Sequence, residues 1–366
     1  MKNIGLVEVK GIGFPNKGAD LLLTAISEQL KSRNLDLAME PFGEFSERAR
    51  YSAWIKARIE IYGVNILKPL SVAPKYLRKR LGWVNANEVD LVLDASGYAY
   101  GDEWPASLAN QRLLGEIDTL KKIVMLPQTF GPFENKNSIK TMKKIISSGA
   151  VIYARENRGA KMIKDSFGVD VDVIPDITFA LDVDEDRCED SFLIIPNFQV
   201  QNRYPSEYLD LLKGTLLKAS KHYSKIVIMN HEGVKDRKIC KELISYAGTK
   251  GISCDFIEPK TGLEAKRVIA SSGFVVTSRY HGLISALSTK TPVTCIGWSF
   301  KYSEALSLFG LDAPAEGDGI PNEAELETLF AIGSLYIAKF SSDHFENNLL
   351  EIKGKIKSVW ESVFEM

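Results

Sequence analysis

The sequence predicts an α/β protein made of two halves, each with a parallel sheet. Short β-branched runs alternate with amphipathic helical patterns along most of the chain, which is typical of βα units. The length of 366 residues corresponds to about two domains. Between Leu181 and Asp190 the periodicity is lost and six acidic residues fall within nine positions, which is typical of a linker. We therefore predict lobes over 1–183 and 184–345, followed by a C-terminal helix within 346–366.

Six short apolar or β-branched runs predict the strands of the first half. They are Ile4 to Val9, Leu35 to Met39, Val89 to Ala95, Ile123 to Leu126, Val151 to Ala154 and Val171 to Ile174. The clearest helix is Gly18 to Arg33, where Leu22, Ile26 and Leu30 share one face. Residues 41 to 88 mix aromatic and basic residues and predict only one or two helices with loops.

The alternation of strands and helices restarts after the acidic linker. Strands are predicted at Phe192 to Pro196, Lys225 to Met229, Ser253 to Ile257, Phe274 to Thr277 and Pro292 to Ile296. Helices are predicted at Pro205 to His222, Asp236 to Thr249, Gly262 to Ser271, Tyr280 to Thr289 and Asn347 to Phe364. In such folds ligands bind in the loops after the strands, so we expect a cleft between the two halves to hold the site.

Composition and charge exclude several classes of protein. With 46 Lys and Arg against 47 Asp and Glu, the net charge is −1, which argues against a nucleic-acid partner. No apolar stretch is long enough to span a bilayer, and the N-terminal run, interrupted by Glu8, is too short for a signal peptide. The four cysteines have no CxxC spacing. We expect a cytoplasmic protein, and no cluster with ligand spacing predicts a metal.

Two glycine-containing loops of the first half are candidate binding segments. Asn16, Lys17, Gly18 and Asp20 lie where the first strand meets the first helix, so that free N–H groups could face a ligand. The segment is neither a GxGxxG nor a Walker A sequence, and a plain connection is the alternative.

The second loop carries Ser96, Gly97 and Tyr98, with Trp104 nearby. Aromatic rings beside hydroxyl and carboxylate groups suit a sugar, although the same rings also suit closure of the core.

Two strand ends carry arginine. Arg155 follows the run Val151 to Ala154, where it faces the expected cleft or pairs with Glu156. Arg279 and His281 follow the strand Phe274 to Thr277, which places an anion-binding fork two residues from a group that titrates near neutrality. A lone histidine is usually structural, but this pairing at a strand end favours a functional role.

The order and spacing of several segments resemble the polysaccharide pyruvyltransferase family. The segments are Asn16-Lys17-Gly18, Pro127 to Phe133, Ala154-Arg155-Glu156, Pro175-Asp176 and Ser278-Arg279-Tyr280-His281-Gly282. The resemblance runs from about residue 5 to about residue 310. It implies two Rossmann-like lobes of the glycosyltransferase-B type.

The resemblance also implies a reaction, the transfer of pyruvyl from phosphoenolpyruvate to a sugar of a cell-surface exopolysaccharide or its precursor. It implies that His281 is catalytic, as acid or base, and that Arg155, Arg279, Tyr280 and Lys301 bind the donor. The lobe with Asn16, Lys17, Gly18, Asp20, Ser96, Gly97 and Tyr98 would bind the sugar or lipid-linked glycan acceptor. No cofactor is implied, and a homo-oligomer is compatible with the sequence.

Two other functions share this architecture. A glycosyltransferase that uses a nucleotide sugar needs a base and ribose pocket in the second lobe, for which Glu258 and Glu264 are available carboxylates. A non-catalytic carbohydrate-binding protein would close two lobes on a ligand, but such proteins are usually exported, and no leader is recognised here.

Overall fold

The computed structural model describes residues 4–13, 15–40, 45–56, 60–61, 64–65, 72–104, 113, 121–311 and 337–365. The chain divides into two compact units. Unit 1 contains residues 1–14, 22–176 and 357–366, and unit 2 contains residues 15–21 and 177–356. Both are α/β units with parallel sheets, as the sequence predicts.

Unit 1 is organised around a parallel sheet with strand order β11-β10-β9-β7-β1-β2-β3-β6, and β8 pairs with β9. Its strands are β1 (Leu6–Lys10), β2 (Asp36–Met39), β3 (Trp54–Lys56), β6 (Trp83–Val84), β7 (Leu91–Asp94), β8 (Tyr98–Tyr100), β9 (Lys122–Phe130), β10 (Val151–Ala154) and β11 (Asp172–Val173). A separate antiparallel pair is formed by β4 (Glu60–Ile61) and β5 (Val64–Asn65). The helices are α1 (Lys17–Lys31, whose first turn groups with unit 2), α2 (Phe45–Arg50), α3 (Lys75–Arg80), α4 (Lys136–Ser147) and α5 (Asn157–Phe167), with a 3₁₀ turn at Ala86–Glu88.

Unit 2 contains a second parallel sheet, with strand order β14-β13-β12-β15-β16. Its strands are β12 (Cys188–Ile195), β13 (Lys225–Met229), β14 (Asp255–Ile257), β15 (Ser272–Thr277) and β16 (Val293–Cys295). Its helices are α6 (Phe198–Arg203), α7 (Pro205–Ala219), α8 (Gly233–Thr249), α9 (Gly262–Ala270), α10 (Tyr280–Ser288), α11 (Lys301–Ser307) and α12 (Asp343–Glu365), with a 3₁₀ turn at Ile177–Ala180. All of β15 is buried, which explains its continuous apolar run.

The predicted and observed elements agree for the long periodic segments and differ for the short ones. The predicted strand Val151 to Ala154 and the predicted helix start at Pro205 match the structure. Within the region 41–88, β3 and β6 extend the sheet with only three and two residues, too few to show a period. Within the described residues, β8 also lies in a segment predicted as a loop, and β12 begins at Cys188, inside the linker that was predicted to run to Asp190.

The observed boundary between the units lies earlier than the predicted one. Residues 177–183 group with unit 2, because the 3₁₀ turn there is fastened to that unit's helices. Lys266 Nζ donates to the Thr178 carbonyl at 2.9 Å, and the Phe179 ring lies 5.9 Å from the ring of Phe309. Residues 15–21, at the start of α1, also group with unit 2, and the last ten residues of the chain group with unit 1.

A buried ion pair lies inside the first sheet. Glu8 on β1 and Lys56 on β3 are both fully buried, and Lys56 Nζ donates to the two Glu8 carboxylate oxygens at 2.8 and 2.7 Å. Lys10 Nζ lies 3.7 Å from the same carboxylate and 2.8 Å from Glu40. Glu8, which interrupts the first apolar run of the sequence, is therefore buried together with the lysine that balances its charge.

Across the described parts of the chain, we find no helix with the length and apolar content needed to cross a bilayer.

Candidate functional site: a cationic cluster in unit 2

The site forms at the carboxyl edge of the second sheet. In the order β13-β12-β15 the strands are neighbours, and their registers pair Ile194 with Ile228 and Ile195 with Thr277. The loops that follow these strands therefore emerge side by side. They carry Asn197, His231 and Arg279. Helices α6, α8 and α10 begin directly after them, so their N-termini lie at this edge.

The backbone before Arg279 is held by hydrogen bonds from several elements. The Ser278 N–H donates to the Ile195 carbonyl at 2.9 Å. The Ser278 carbonyl accepts from Asn197 Nδ2 at 2.9 Å and from the Tyr302 hydroxyl at 2.8 Å. The Tyr208 hydroxyl donates to Ser278 Oγ at 2.7 Å. The position of the arginine is therefore fixed by packed strands and helices rather than by its own loop.

Arg279 is held by two carboxylates of the neighbouring α8 region. Its Nε and Nη2 donate to the two oxygens of Asp236 at 2.8 and 2.5 Å, and its Nη1 donates to Glu232. Burial alone would lower the pKa of Arg279, but Asp236 and Glu232 hold it above its ordinary value. These contacts use one N–H on each of three nitrogens, whereas a guanidinium carries five N–H groups. Arg279 thus keeps its charge and has donors left for a ligand.

The first turn of α1 packs directly on His281. Gly18 lies so close to the imidazole that a Cβ built there would be 2.1 Å from His281 Nδ1. The Gly18 N–H donates to Asn16 Oδ1 at 2.9 Å, and the Lys17 N–H donates to the His231 carbonyl at 3.4 Å. The Lys17 ammonium donates to the Lys260 carbonyl at 3.1 Å. The glycine is therefore required by the close approach of helix backbone and imidazole.

Asp20 fixes this first turn to helix α9. Its Oδ2 accepts the Gly262 N–H at 2.6 Å, and the aspartate is 2% exposed. Gly262 leaves no room for a side chain, since a Cβ there would lie 2.5 Å from the Lys17 carbonyl oxygen. The sequence placed Asp20 among the acceptor-binding residues of the first lobe, whereas the structure shows it bonded to the first turn of a helix in unit 2.

His231, which no motif of the sequence indicated, lies close enough to Arg279, His281 and Lys17 for them to affect its pKa. It is 1% exposed, and among the residues that the structure describes neither ring nitrogen has a hydrogen-bond partner. Burial, reinforced by the charges of Arg279, His281 and Lys17, holds the pKa of His231 well below its usual value. The imidazole is therefore neutral, with one donor and one acceptor unsatisfied. Its position after a buried strand, like that of Arg279, was the available sequence signal.

Lys301 lies in a cage of aromatic rings. Its Nζ is 4.7 Å from the ring centroid of Trp298, 5.5 Å from that of Tyr280 and 5.7 Å from that of Tyr302. Tyr280 also meets the His281 ring edge to face, with centroids 5.5 Å apart. The structure thus brings Lys301 and Tyr280 together in unit 2, and Tyr280 links this cage to His281.

Arg155 lies in unit 1 with a side chain only 2% exposed. Its Nε donates to Glu156 at 2.8 Å, its Nη1 to Asp176 at 2.8 Å and its Nη2 to Thr129 Oγ1 at 2.7 Å. The ion pair with Glu156, one of the two interpretations of the sequence, is therefore present. Its other predicted role, donor binding, remains a prediction.

The aromatic loop of unit 1 is closely tied to its own sheet. The Ser96 N–H donates to Asp94 Oδ1 at 2.9 Å, and the Gly97 carbonyl accepts the Thr129 N–H at 2.9 Å. Gly97 has a φ of 70°, which favours glycine. The half-buried Tyr98 donates its hydroxyl to the Gly131 carbonyl at 3.1 Å. These contacts fix the loop, and its role in acceptor binding remains a prediction.

The two carboxylates considered for a nucleotide pocket have internal partners. Glu258 accepts from Asn230 Nδ2 at 2.6 Å and from Arg237 Nε at 3.0 Å. The Arg237 hydrogen bond, with help from Asn230, holds the pKa of Glu258 below its usual value even though burial opposes this. Glu264 accepts the Lys260 N–H at 2.7 Å in the first turn of α9. Within the described residues, no three His, Cys, Asp or Glu side chains are grouped so that they could hold a metal.

Comparison with known proteins identifies the family. A family model for polysaccharide pyruvyl transferase matches residues 16–299, from the loop that packs on His281 to the loop that carries Trp298. The chain belongs to the polysaccharide pyruvyl transferase family. This pyruvyl transferase family member is therefore a transferase enzyme. No curated protein matches the chain.

Solved structures share the fold of this pyruvyl transferase at low sequence identity. HepE from Anabaena, crystallised with UDP and glucose, is 13% identical with a TM-score of 0.62, over 98% of this chain and 100% of that one. UDP-GlcNAc 2-epimerase from Neisseria meningitidis, bound to UDP-GlcNAc, is 11% identical with a TM-score of 0.60, over 99% and 100%. A glycosyltransferase from Rickettsia africae is 13% identical with a TM-score of 0.58, over 99% of each chain. The predicted glycosyltransferase-B-like α/β fold is confirmed.

Proposed function

We propose that this enzyme transfers pyruvyl from phosphoenolpyruvate to two hydroxyls of one sugar in a cell-surface exopolysaccharide or its precursor, and so forms a cyclic ketal. The observation that carries the proposal is the cluster of Lys17, His231, Arg279 and His281 in unit 2. There, cationic groups surround a buried neutral imidazole that lacks a partner. Burying an imidazole without hydrogen-bond partners costs free energy, and a ligand that binds here supplies the missing hydrogen bonds.

The charge of the cluster suits the donor. Phosphoenolpyruvate carries a phosphate and a carboxylate on three carbons, so it needs cations at two angles. Arg279 supplies a planar guanidinium, and Lys17 supplies an ammonium that is held at the Lys260 carbonyl and is close enough to lower the pKa of His231. The N-termini of α8 and α10 add partial positive charge at the same edge. A neutral His231 can donate one N–H to a phosphate oxygen without adding charge.

This assignment moves two residues from the acceptor side to the donor side. The sequence placed Lys17 and Gly18 in the first lobe, but residues 15–21 group with unit 2 and pack on His281. We therefore assign Lys17 and Gly18 to the donor site. The predicted acceptor residues that remain in unit 1 are Ser96, Gly97 and Tyr98, whose hydroxyls and ring suit a sugar.

The reaction follows from the donor's chemistry. A proton adds to the methylene carbon, and positive charge develops on the carbon that bears the phosphate ester. One sugar hydroxyl attacks that carbon and loses its proton. The C–O bond to phosphate then breaks, phosphate leaves with the electron pair, and the second hydroxyl closes the ketal. Of the two hydroxyl protons, one balances the new methyl group and the other leaves with phosphate.

His281 is the group proposed to move these protons. Its imidazole is only partly buried, and it is held in place by the Gly18 backbone and by Tyr280. We propose that Tyr280 and Lys301 support the donor side, since the Lys301 cage adjoins His281 through Tyr280. The four cysteines are free thiols, which agrees with a reaction in the reducing cytoplasm.

The test combines binding and turnover. Calorimetric titration compares phosphoenolpyruvate with UDP-sugars, and phosphate release is then measured with candidate acceptors. We expect phosphoenolpyruvate to bind and UDP-sugars not to bind, and we expect His281→Ala to abolish phosphate release while the protein stays folded. His222→Ala is the matched control, because His222 is exposed and lies beyond the last residue of α7. Tight UDP-sugar binding without phosphoenolpyruvate binding would replace the proposal with a nucleotide-sugar transferase.

A further inference from the structure

A patch of exposed apolar side chains lies on and around helix α3 in unit 1. Val72 is 84% exposed, Tyr76 70%, Leu77 40% and Leu81 66%, and these four residues are called the α3 patch. Only three other large apolar side chains are exposed among the residues that the structure describes, and they lie far from α3 in sequence: Val234, Phe256 and Leu350. Exposed apolar residues are usually scattered singly, so four within ten positions mark an interaction surface.

Helix α3 buries a charged side chain and exposes two apolar ones. It buries Arg78, which is 7% exposed, and presents Tyr76 and Leu77 to solvent. Arg78 Nε donates to the Ala73 carbonyl at 2.9 Å, and its Nη1 donates to Glu88 at 2.5 Å. The buried arginine therefore fastens the helix to the unit, which leaves the apolar side chains outward.

The patch is also attached to the edge of the first sheet. The Gly82 carbonyl, one residue after Leu81, accepts the Ile55 N–H at 2.8 Å, and Trp83 pairs with Ile55 in the β3–β6 ladder. A helix held at both ends keeps its outward face in a fixed orientation.

The exposed charged side chains of α3 that the structure describes, Lys75 and Arg80, are both basic. The sequence contains no Asp or Glu between Glu60 and Glu88, although the chain as a whole is nearly neutral. Around the patch, the Lys75 side chain is 68% exposed, and Arg80 is exposed as well. The Glu88 carboxylate is engaged by Arg78 and lies 3.9 Å from the Lys75 ammonium. Lysine and arginine have long aliphatic chains that end in a charge. Placed beside apolar side chains, they suit a surface with anionic headgroups over an apolar layer.

We propose that the α3 patch docks this enzyme on an anionic lipid surface. Tyr76, Leu77 and Leu81 enter the interface between headgroups and acyl chains, while Lys75 and Arg80 contact the lipid phosphates. The proposal stands on the apolar and cationic residues of unit 1 and does not depend on the donor assigned to unit 2. It would bring the enzyme to a surface where lipid-linked glycans are carried.

The test is flotation of the full chain with vesicles of phosphatidylcholine alone or with one third phosphatidylglycerol, at low and high salt. We expect binding only to the anionic vesicles, weakened by salt. The triple variant Tyr76→Ser, Leu77→Ser, Leu81→Ser should lose at least about tenfold in partitioning. A charge variant, Lys75→Gln with Arg80→Gln, should also lose about tenfold.

Matched controls separate the patch from general surface effects. Leu350→Ser removes an exposed apolar side chain of α12 that is 62% exposed, and Lys221→Gln with Lys241→Gln removes two exposed cations elsewhere; neither should change binding. Thermal unfolding must show that the variants fold like the parent. The proposal is overturned if the parent does not bind anionic vesicles, or if the triple variant binds as well as the parent. It is equally overturned if the triple variant instead converts an oligomer into a monomer without any vesicle binding, because the patch would then cover a second copy.

Discussion

The contact between Gly18 and His281 gives a quantitative prediction for the substitution Gly18→Ala. The added Cβ would lie 2.1 Å from His281 Nδ1, 2.5 Å from Cγ and 2.9 Å from the His281 Cβ. An ordinary contact needs about 3.4 Å, so the helix and the imidazole must separate by about 1.3 Å. The helix resists this movement, because the Asn16 side chain and the bond from Gly262 to Asp20 hold its first turn.

We therefore expect the imidazole to move and activity to fall. A displacement of about 1 Å from the productive position costs roughly 100-fold in rate, or about 2.7 kcal/mol of transition-state stabilisation. The free energy of unfolding should fall by no more than about 2.5 kcal/mol, because overpacking costs about 1–3 kcal/mol whereas Ala in place of helical Gly gains about 0.5–1 kcal/mol. The assay is kcat/KM for phosphate release, with the free energy of unfolding measured by urea denaturation.

The matched control for this substitution is Gly214→Ala. Gly214 is inside helix α7, and nothing lies within 4 Å of a Cβ built there. This variant should keep full activity and gain about 0.5–1 kcal/mol of stability. A double variant completes the design: Gly18→Ala combined with His281→Ala should be no less active than His281→Ala alone, because both act through one imidazole. Full activity in folded Gly18→Ala would refute the assignment of His281 to the site.

Three further predictions concern charged and titratable groups. The pKa of His231 is lower in the folded than in the unfolded protein, so the free energy of unfolding is greatest above pH about 6.5 and falls by about 1.4 kcal/mol per pH unit below it. Urea denaturation at pH 7.5 and 5.5 should show a smaller change in the free energy of unfolding for His231→Gln than for the parent. An equal change in both proteins would contradict a neutral buried imidazole. Asp236→Asn should cost about 1.5–3 kcal/mol of unfolding free energy, because the fully buried Asp236 accepts two hydrogen bonds from Arg279, while Glu232 keeps the guanidinium paired; a loss below about 0.5 kcal/mol would show that this pair contributes little to stability. Arg155→Met should cost about 3–5 kcal/mol of unfolding free energy, because it removes the cation that pairs with the buried Glu156 and Asp176; unchanged stability with weakened phosphoenolpyruvate binding would instead make Arg155 a donor ligand.

The sequence by itself determined the fold class and the strand ends that carry function. Periodicity reports burial on one face, so the long strands and helices of both units were predictable, for example β10 and α9. The segment Ser278 to Gly282 was also recognisable, because a polar, charged group directly after a buried strand is unusual. The family followed from the order of such segments, and the matched range of residues 16–299 confirms it.

Only the tertiary structure decided which of these groups meet. The first turn of α1 adjoins His281 because Gly18 and Gly262 allow backbones to approach, a distance that no local pattern encodes. His231 became visible only when its burial and lack of partners were known, since a lone histidine has no period. Arg155 was ambiguous for the same reason: whether a cation serves a ligand or a carboxylate depends on what packs around it. Local sequence fixes hydrogen-bonding patterns along the chain, whereas contacts between distant residues depend on packing in three dimensions.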